Sequence, residues 1–194
     1  MEKHKILKQN KMKYWEFTEE IKESFSGEKL RRIICTQDFL HANKGYLGGW
    51  LGENAVLKDN AWIADEAQVY GHAEVGDNAL VCSNAIVCDN AKVYDDAEVC
   101  DDAQVYDNAK VCGHAKVGDD AIVGGHAKVG GNAEVGGNAE VFGYAEVCGF
   151  AEVCDNAKVF DNAEVGGNAK VGGNEKVGGN QEVLTNTVLY KKSE

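Results

Sequence analysis

The side chains best suited to chemistry in this sequence are aspartates in adjacent pairs. Asp101-Asp102 and Asp119-Asp120 lie 18 residues apart. Carboxylate oxygens are the ligands that hard divalent cations such as Ca²⁺ prefer. If the fold stacks positions 18 residues apart, these four residues are weak candidates for a metal site. Calcium-binding nonapeptide repeats have a different period, so the sequence favours a solvated acidic rim over a metal site.

Three histidines offer the second kind of chemistry, since histidine is a common general base and zinc ligand. His72, His114 and His126 follow one another at spacings of 42 and 12 residues. Neither spacing is a multiple of 18, so in a fold that repeats every 18 residues these side chains fall on corners that do not converge. The sequence therefore predicts no catalytic residue and no cofactor.

The element that must position these groups is a six-residue repeat. Every sixth residue from Leu51 to Leu189 is aliphatic, 24 positions in a row, and Ala recurs 20 times from Ala55 to Ala169. Ala-x-Val-x alternates as a short strand does, and a Gly/Asp–Asn pair follows as a turn. We assign the positive backbone φ to the Asn slot, because Asn, Asp and His tolerate it best. Three hexads then close an 18-residue coil, which predicts about eight coils.

The motif Val-Gly-Asp-Asn-Ala at 75–79 resembles the hexapeptide repeat of the acyltransferase superfamily. Leu30–Ile34, Asp38-Phe39 and Gly45–Trp50 look like the N-terminal segment of YdcK-like hexapeptide proteins of bacteria and their phages. The resemblance implies an all-β fold, a single-stranded left-handed parallel β-helix with a small N-terminal β cap. Acyltransferases of the superfamily typically use a catalytic His, an extruded loop and a cleft between subunits. Because the 24 units run without an insertion, we predict no enzyme, and an acyltransferase-like site between subunits is the alternative.

The chain divides into four parts by pattern. We predict a Lys-rich extension at 1–13, the cap at 14–50, the β-helix at 51–189 and a frayed tail at 190–194. Strands are expected at 14–18 and 30–35. The bulky residues expected to cover the open end of the core are Trp15, Phe17, Trp50 and Trp62.

Seven cysteines and the absence of a secretory signal or apolar span predict a cytoplasmic chain with reduced thiols. Cys82 and Cys100 would be neighbours on adjacent coils, so a disulfide between them is the alternative.

One side of the predicted coil is more apolar than the other two, and such a stripe usually marks an interface. We predict a homo-oligomer, a dimer or trimer, through this side, with a partner protein as the second choice. The alternative is a set of stacked aromatic ladders that stiffen the sheet. The residues of this predicted interface are Tyr70, Ile86, Cys88, Tyr106, Ile122, Phe142 and Phe160.

Charge points to the class of partner. Residues 51–194 contain 10 Lys and Arg against 25 Asp and Glu. Over a rod roughly 38 Å long this is about one net charge per 2.5 Å, against about 1.7 Å for duplex DNA. We therefore expect a non-catalytic protein that binds a basic or nucleic-acid-binding partner protein. A phage-type inhibitor of a host nuclease or defence complex would fit this description. We expect no direct binding to duplex DNA. The predicted acidic contact residues are Asp77, Asp89, Asp95, Asp96, Asp101, Asp102, Asp107, Asp119 and Asp120.

Overall fold

The computed structural model describes residues 13–192 and contains only β-strands and turns in that range. Three antiparallel strands begin the chain: β1 (Trp15–Glu23), β2 (Lys29–Cys35) and β3 (Leu47–Gly52). The strand predicted at 14–18 is therefore longer than expected, and β2 lies where 30–35 was predicted. All but the last residue of the predicted extension 1–13 lies outside the described range. No helix between residues 13 and 192 is long and apolar enough to cross a membrane.

The repeat supplies one short strand per hexad. These strands are β4 (Val56–Leu57), β5 (Trp62–Ile63), β6 (Gln68–Val69), β7 (Glu74–Val75), β8 (Leu80–Val81), β9 (Ile86–Val87), β10 (Lys92–Val93), β11 (Glu98–Val99), β12 (Gln104–Val105), β13 (Lys110–Val111), β14 (Lys116–Val117), β15 (Ile122–Val123), β16 (Lys128–Val129), β17 (Glu134–Val135), β18 (Glu140–Val141), β19 (Glu146–Val147), β20 (Glu152–Val153), β21 (Lys158–Val159), β22 (Glu164–Val165), β23 (Lys170–Gly173), β24 (Lys176–Val177), β25 (Glu182–Val183) and β26 (Val188–Lys191).

Each solenoid strand pairs in parallel with the strand three further along, so residues 18 apart face each other, as Lys92 faces Lys110 and Val93 faces Val111. Three sheets result. Side 1 is the ten-stranded sheet β1-β2-β3-β6-β9-β12-β15-β18-β21-β24, side 2 runs from β4 to β25, and side 3 from β5 to β26. The predicted parallel β-solenoid of about eight coils is confirmed. Its left-handed winding stays a prediction from the resemblance.

The core is the stack of Val and Ala side chains inside the coils. Val69 and Ala67 have no exposed surface, and from Ala67 through Val171 the same holds, to within 2%, for every repeat Val and Ala. A fully buried Val contributes roughly 1.5–3 kcal/mol of hydrophobic free energy. At the C-terminal end the Ala column gives way to Glu175, Gln181 and Thr187, which are partly or fully exposed.

At the corners, the structure contradicts the assignment of positive φ to the Asn slot. The residue with positive φ is the Asp or Gly that precedes the Asn slot, for example Asp77 at 56° and Gly125 at 67°. The Asn side chains instead form ladders between coils. The amide of Asn60 donates to the Oδ1 of Asn78 over 3.0 Å, and that of Asn168 donates to Asn186 over 3.1 Å. Both slots favour similar residues, and only the backbone distinguishes them.

The cap closes the N-terminal end of the core. Trp62 is fully buried and Trp15 is 8% exposed, and the ring of Phe39 meets Trp62 edge-on at 5.5 Å. Gly48 is required here because a Cβ would come within 2.7 Å of Ile33 and Trp62 side-chain atoms. Contrary to the prediction, Trp50 does not cover the end of the core.

The two ends of the predicted β-helix differ slightly from the sequence boundaries. Trp50 packs in a separate cluster on the outer surface of side 1, with Leu30 and Tyr70. At the other end, β26 continues through Lys191 and pairs Tyr190 with Gly172. The frayed tail predicted from residue 190 therefore begins within a strand.

Candidate binding surfaces of the solenoid

The corner aspartates have a structural task that explains their 18-residue spacing. From Asp65 onward, each aspartate at positive φ turns its Oδ2 toward the next coil and accepts the backbone N–H of the residue 18 positions later. The distances are 2.9 Å from Asp95 to the N–H of Gly113, and 3.0 Å from Asp107 to that of Gly125. Asp77, Asp89 and Asp101 accept the corresponding N–H groups over 3.2–3.3 Å. The stacked carboxylates are therefore separated by amide donors, which offset part of their repulsion.

The four metal candidates lie together on the corner between sides 3 and 1, as the spacing predicts. Asp101 accepts the N–H of Asp119 over 3.3 Å, and Asp119 accepts that of Gly137 over 2.7 Å. Asp102 accepts the Asn84 amide over 3.1 Å. Between residues 13 and 192 no group of three or more His, Cys, Asp or Glu residues has an arrangement that could hold a metal ion. The arrangement fits hydrogen bonding between coils.

Beside this corner lies a shallow groove on side 3. Gly118 and Gly136 form its floor, and Asp101, Asp119 and Glu134 are among the residues that line it. The carboxylate oxygens of the two aspartates lean over the glycines, at 3.2 Å and 2.9 Å from where a Cβ would stand. The groove therefore presents several carboxylates around a floor without side chains.

The other charged or thiol side chains that line the groove are Lys116, Glu152 and Cys154. Glu152 already pairs with Lys170 at 2.6 Å, and Lys116 lies 3.5 Å from Glu98, whereas Glu134 forms no ion pair within residues 13–192. Burial and the neighbouring Asp155 raise the pKa of the Cys154 thiol, which makes it a poor nucleophile. The groove can therefore offer carboxylate oxygens to a cation.

Sequence reasoning missed Glu134 and the groove. Its sign in the sequence is a glycine in the slot after Val in two successive coils of one side, at Gly118 and Gly136. The sequence alone does not predict the groove, because its shape depends on how the corner aspartates lie against these glycines in the folded chain.

The apolar stripe of side 1 splits into two parts. Tyr70 is only 8% exposed and packs with Leu30 and Trp50 beneath the cap, with Ile86 and Cys88 against the same cluster. The prediction that Tyr70 lies in an exposed interface is therefore wrong, because β2 of the cap covers this residue. Burial is the largest cause that raises the pKa of the Cys88 thiol to about 12, so this cysteine is unreactive at neutral pH.

The rest of the stripe forms aromatic ladders. The Tyr106 ring lies over Gly124, 2.8 Å from where a Cβ would stand, and Phe142 stacks on Phe160 with ring centroids 5.5 Å apart. Ile122 is half-buried and Phe142 is 37% exposed. These contacts match the alternative to an interface, in which stacked rings stiffen the sheet. The apolar surface that remains exposed is narrower than the sequence suggested.

Two exposed aromatics were not predicted. Tyr144 and Phe150 occupy corner slots otherwise held by Asn, and they are 66% and 63% exposed. Tyr144 stacks on His126 with centroids 4.8 Å apart. His114 lies 3.7 Å from a carboxylate oxygen of Asp96. His114 and His126 are thus both in contact with a side chain of a neighbouring coil.

Cys82 and Cys100 form a disulfide across adjacent coils of side 3, with Cα atoms 4.6 Å apart. The expectation that all thiols are reduced is wrong for this pair. Stacking of identical slots brings the two sulfurs together, and the other five cysteines are free.

Neither models of known protein families nor curated proteins match this chain.

Proposed function

We propose that this chain is a non-catalytic binding protein whose acidic groove on side 3 receives Lys and Arg side chains of a basic partner protein. The observation that carries the proposal is the glycine-floored groove with Asp101, Asp119 and Glu134 at its rim. A guanidinium or ammonium group that enters the groove meets these carboxylates above glycines that carry no side chain of their own. Hydrogen bonds between such cations and carboxylates are about twice as strong as neutral ones.

The distribution of charge supports a partner that ordinarily binds nucleic acid. Corner carboxylates repeat along the rod at the coil spacing, which is 4.6 Å between the Cα atoms of Cys82 and Cys100. The corner between sides 3 and 1 holds Asp101, Asp102, Asp119 and Asp120 on two successive coils. A linear series of negative charges is what a nucleic-acid-binding surface recognises. An inhibitor that mimics nucleic-acid charge against a nuclease or defence complex is the form of this function that we favour.

The test is titration calorimetry with a nona-arginine peptide as the probe. We expect binding that weakens at least tenfold when salt rises from about 50 mM to about 500 mM, because counterions screen exposed charges. Neutralising the groove with Asp101→Asn, Asp119→Asn and Glu134→Gln should weaken binding by a similar factor.

A matched control removes the same number of charges elsewhere, through Glu53→Gln, Asp161→Asn and Glu175→Gln. If the control weakens binding as much as the groove variant does, the groove is not the site. Binding that ignores both salt and the groove variant contradicts the proposal. A thermal shift with an acyl-coenzyme A and none with the peptide would favour the acyltransferase alternative instead.

A further inference from the structure

Side 2 carries a charge pattern unlike that of the other sides. After Val56 and Glu74, which pairs with Lys92 at 2.6 Å, its outward column holds a lysine block and then a glutamate block. In chain order from β10 to β25 it reads Lys92, Lys110, Lys128, Glu146, Glu164 and Glu182. The strand register sets the members of each block directly opposite one another. Like charges directly opposite in a sheet destabilise it.

The other two sides have fewer such pairs, with Lys158 opposite Lys176 on side 1 and Glu134 opposite Glu152 on side 3. Side 1 pairs Lys158 with Glu140, and side 3 pairs Lys116 with Glu98. On side 2 the central Lys128 reaches Glu146 only at 3.9 Å. Three charges of this side, Lys110, Glu164 and Glu182, form no ion pair within the described residues 13–192.

The two blocks are complementary to each other about their midpoint. A two-fold axis that lies in the plane of the interface, at right angles to the solenoid axis and level with the midpoint between Lys128 and Glu146, sets Lys110 opposite Glu164 of a second copy and Lys128 opposite Glu146. The same rotation sets Lys92 opposite Glu182. One operation thus gives every charge of both blocks an opposite partner, as a self-complementary two-fold interface requires.

The shape of side 2 also suits a close approach. The slot after Val on this side holds the small residues Cys112, Gly130, Cys148 and Gly166 along the middle coils. Tyr144 and Phe150, the exposed corner aromatics, flank the two edges of β19, next to the proposed axis. Aromatic residues near the centre of an interface commonly provide most of its binding energy.

We propose that two copies of this chain associate through side 2 with antiparallel solenoid axes, the lysine block of each facing the glutamate block of the other. The surface differs from the apolar side 1 that the sequence suggested, and it is separate from the groove on side 3. A flat face about 30 Å long buries a small area, so we expect a weak dimer, with a dissociation constant in the micromolar range typical of small interfaces.

Charge-swapped chains test the pairing directly by sedimentation velocity across a range of concentrations. One variant carries Lys110→Glu and Lys128→Glu, which makes the central face entirely acidic. The other carries Glu146→Lys and Glu164→Lys, which makes it entirely basic. Each alone should be monomeric, because like charges then meet across the axis. An equimolar mixture of the two should restore the dimer, since every pair is again of opposite sign.

The control applies equal charge changes to side 3, with Lys116→Glu and Lys170→Glu in one chain and Glu134→Lys and Glu152→Lys in another. These chains should dimerise as the unchanged protein does, and circular dichroism confirms that all variants keep their β structure. The proposal is overturned if the unchanged chain is monomeric at every concentration. It is also overturned if the side 2 variants still dimerise, or if the two monomeric variants fail to associate when mixed.

Discussion

At the scale of single residues, the corner aspartate combines two properties that are usually separate. It tolerates positive φ, at 58° for Asp107, and its carboxylate accepts the N–H of Gly125 from the next coil over 3.0 Å. Glycine at the same slot provides only the first property. Folding thus explains the acidic corners, and the role in recognition that we propose for them can be separated from it by substitution.

Three substitutions at Asp107 separate these contributions. Asp107→Asn keeps the backbone preference and a side-chain acceptor, so the stability should change little. Asp107→Gly loses only the hydrogen bond and should cost about 1 kcal/mol. Asp107→Ala loses the bond and places a Cβ at positive φ, which should cost roughly 1–2 kcal/mol more. Urea unfolding followed by circular dichroism measures the order. An alanine variant as stable as the asparagine variant would contradict this explanation.

At the scale of elements, one carboxylate of the first coil contacts all three strands of the cap. Glu66 accepts the indole N–H of Trp50 over 2.9 Å, with Lys22 at 3.4 Å and Arg32 at 3.3 Å. The Trp50 hydrogen bond is the largest cause that lowers the pKa of Glu66, and the two cations add to it against partial desolvation. Strands β1, β2 and β3 thus converge on one residue of the solenoid.

The lowered pKa makes the cap joint sensitive to acid. Because the folded pKa of Glu66 lies below its unfolded value, its contribution to stability is complete above the unfolded pKa and is lost as pH falls through the folded pKa. Thermal melts from about pH 6 to about pH 3 should therefore show a smaller loss of Tm for Glu66→Gln than for the unchanged chain.

Trp50→Phe supplies the control for this prediction, because it removes the donor and keeps an aromatic ring. It should reduce the acid sensitivity as well, and the double variant should behave like Glu66→Gln alone. Equal acid sensitivity in all four chains would show that the joint does not depend on this carboxylate.

At the scale of the whole molecule, the period of six predicts most of the architecture. The unbroken Val and Ala columns are enough for the coil number and the parallel register, and hence for the stacking of Asp101 on Asp119. The position of positive φ was misplaced by one residue, because Asn, Asp and Gly occupy adjacent slots with similar preferences. The burial of Tyr70 could not be predicted, since it depends on how the non-repetitive cap folds back over side 1.

The two ends of the repeat differ, because only the N-terminal end is covered by the cap, and truncation from each end should therefore affect stability differently. Each coil contacts only its neighbours, so solenoid stability is nearly a sum over coils, with special demands at the terminal units. Ending the chain after Asn174 removes β24–β26, and should leave a folded rod with a Tm lower by several degrees. Starting it at Leu47 removes β1 and β2 and exposes the core around Trp62, so we expect aggregation and binding of a hydrophobic dye. Equal stability of the two truncated chains, measured by circular dichroism melts, would show that the cap does not close the core.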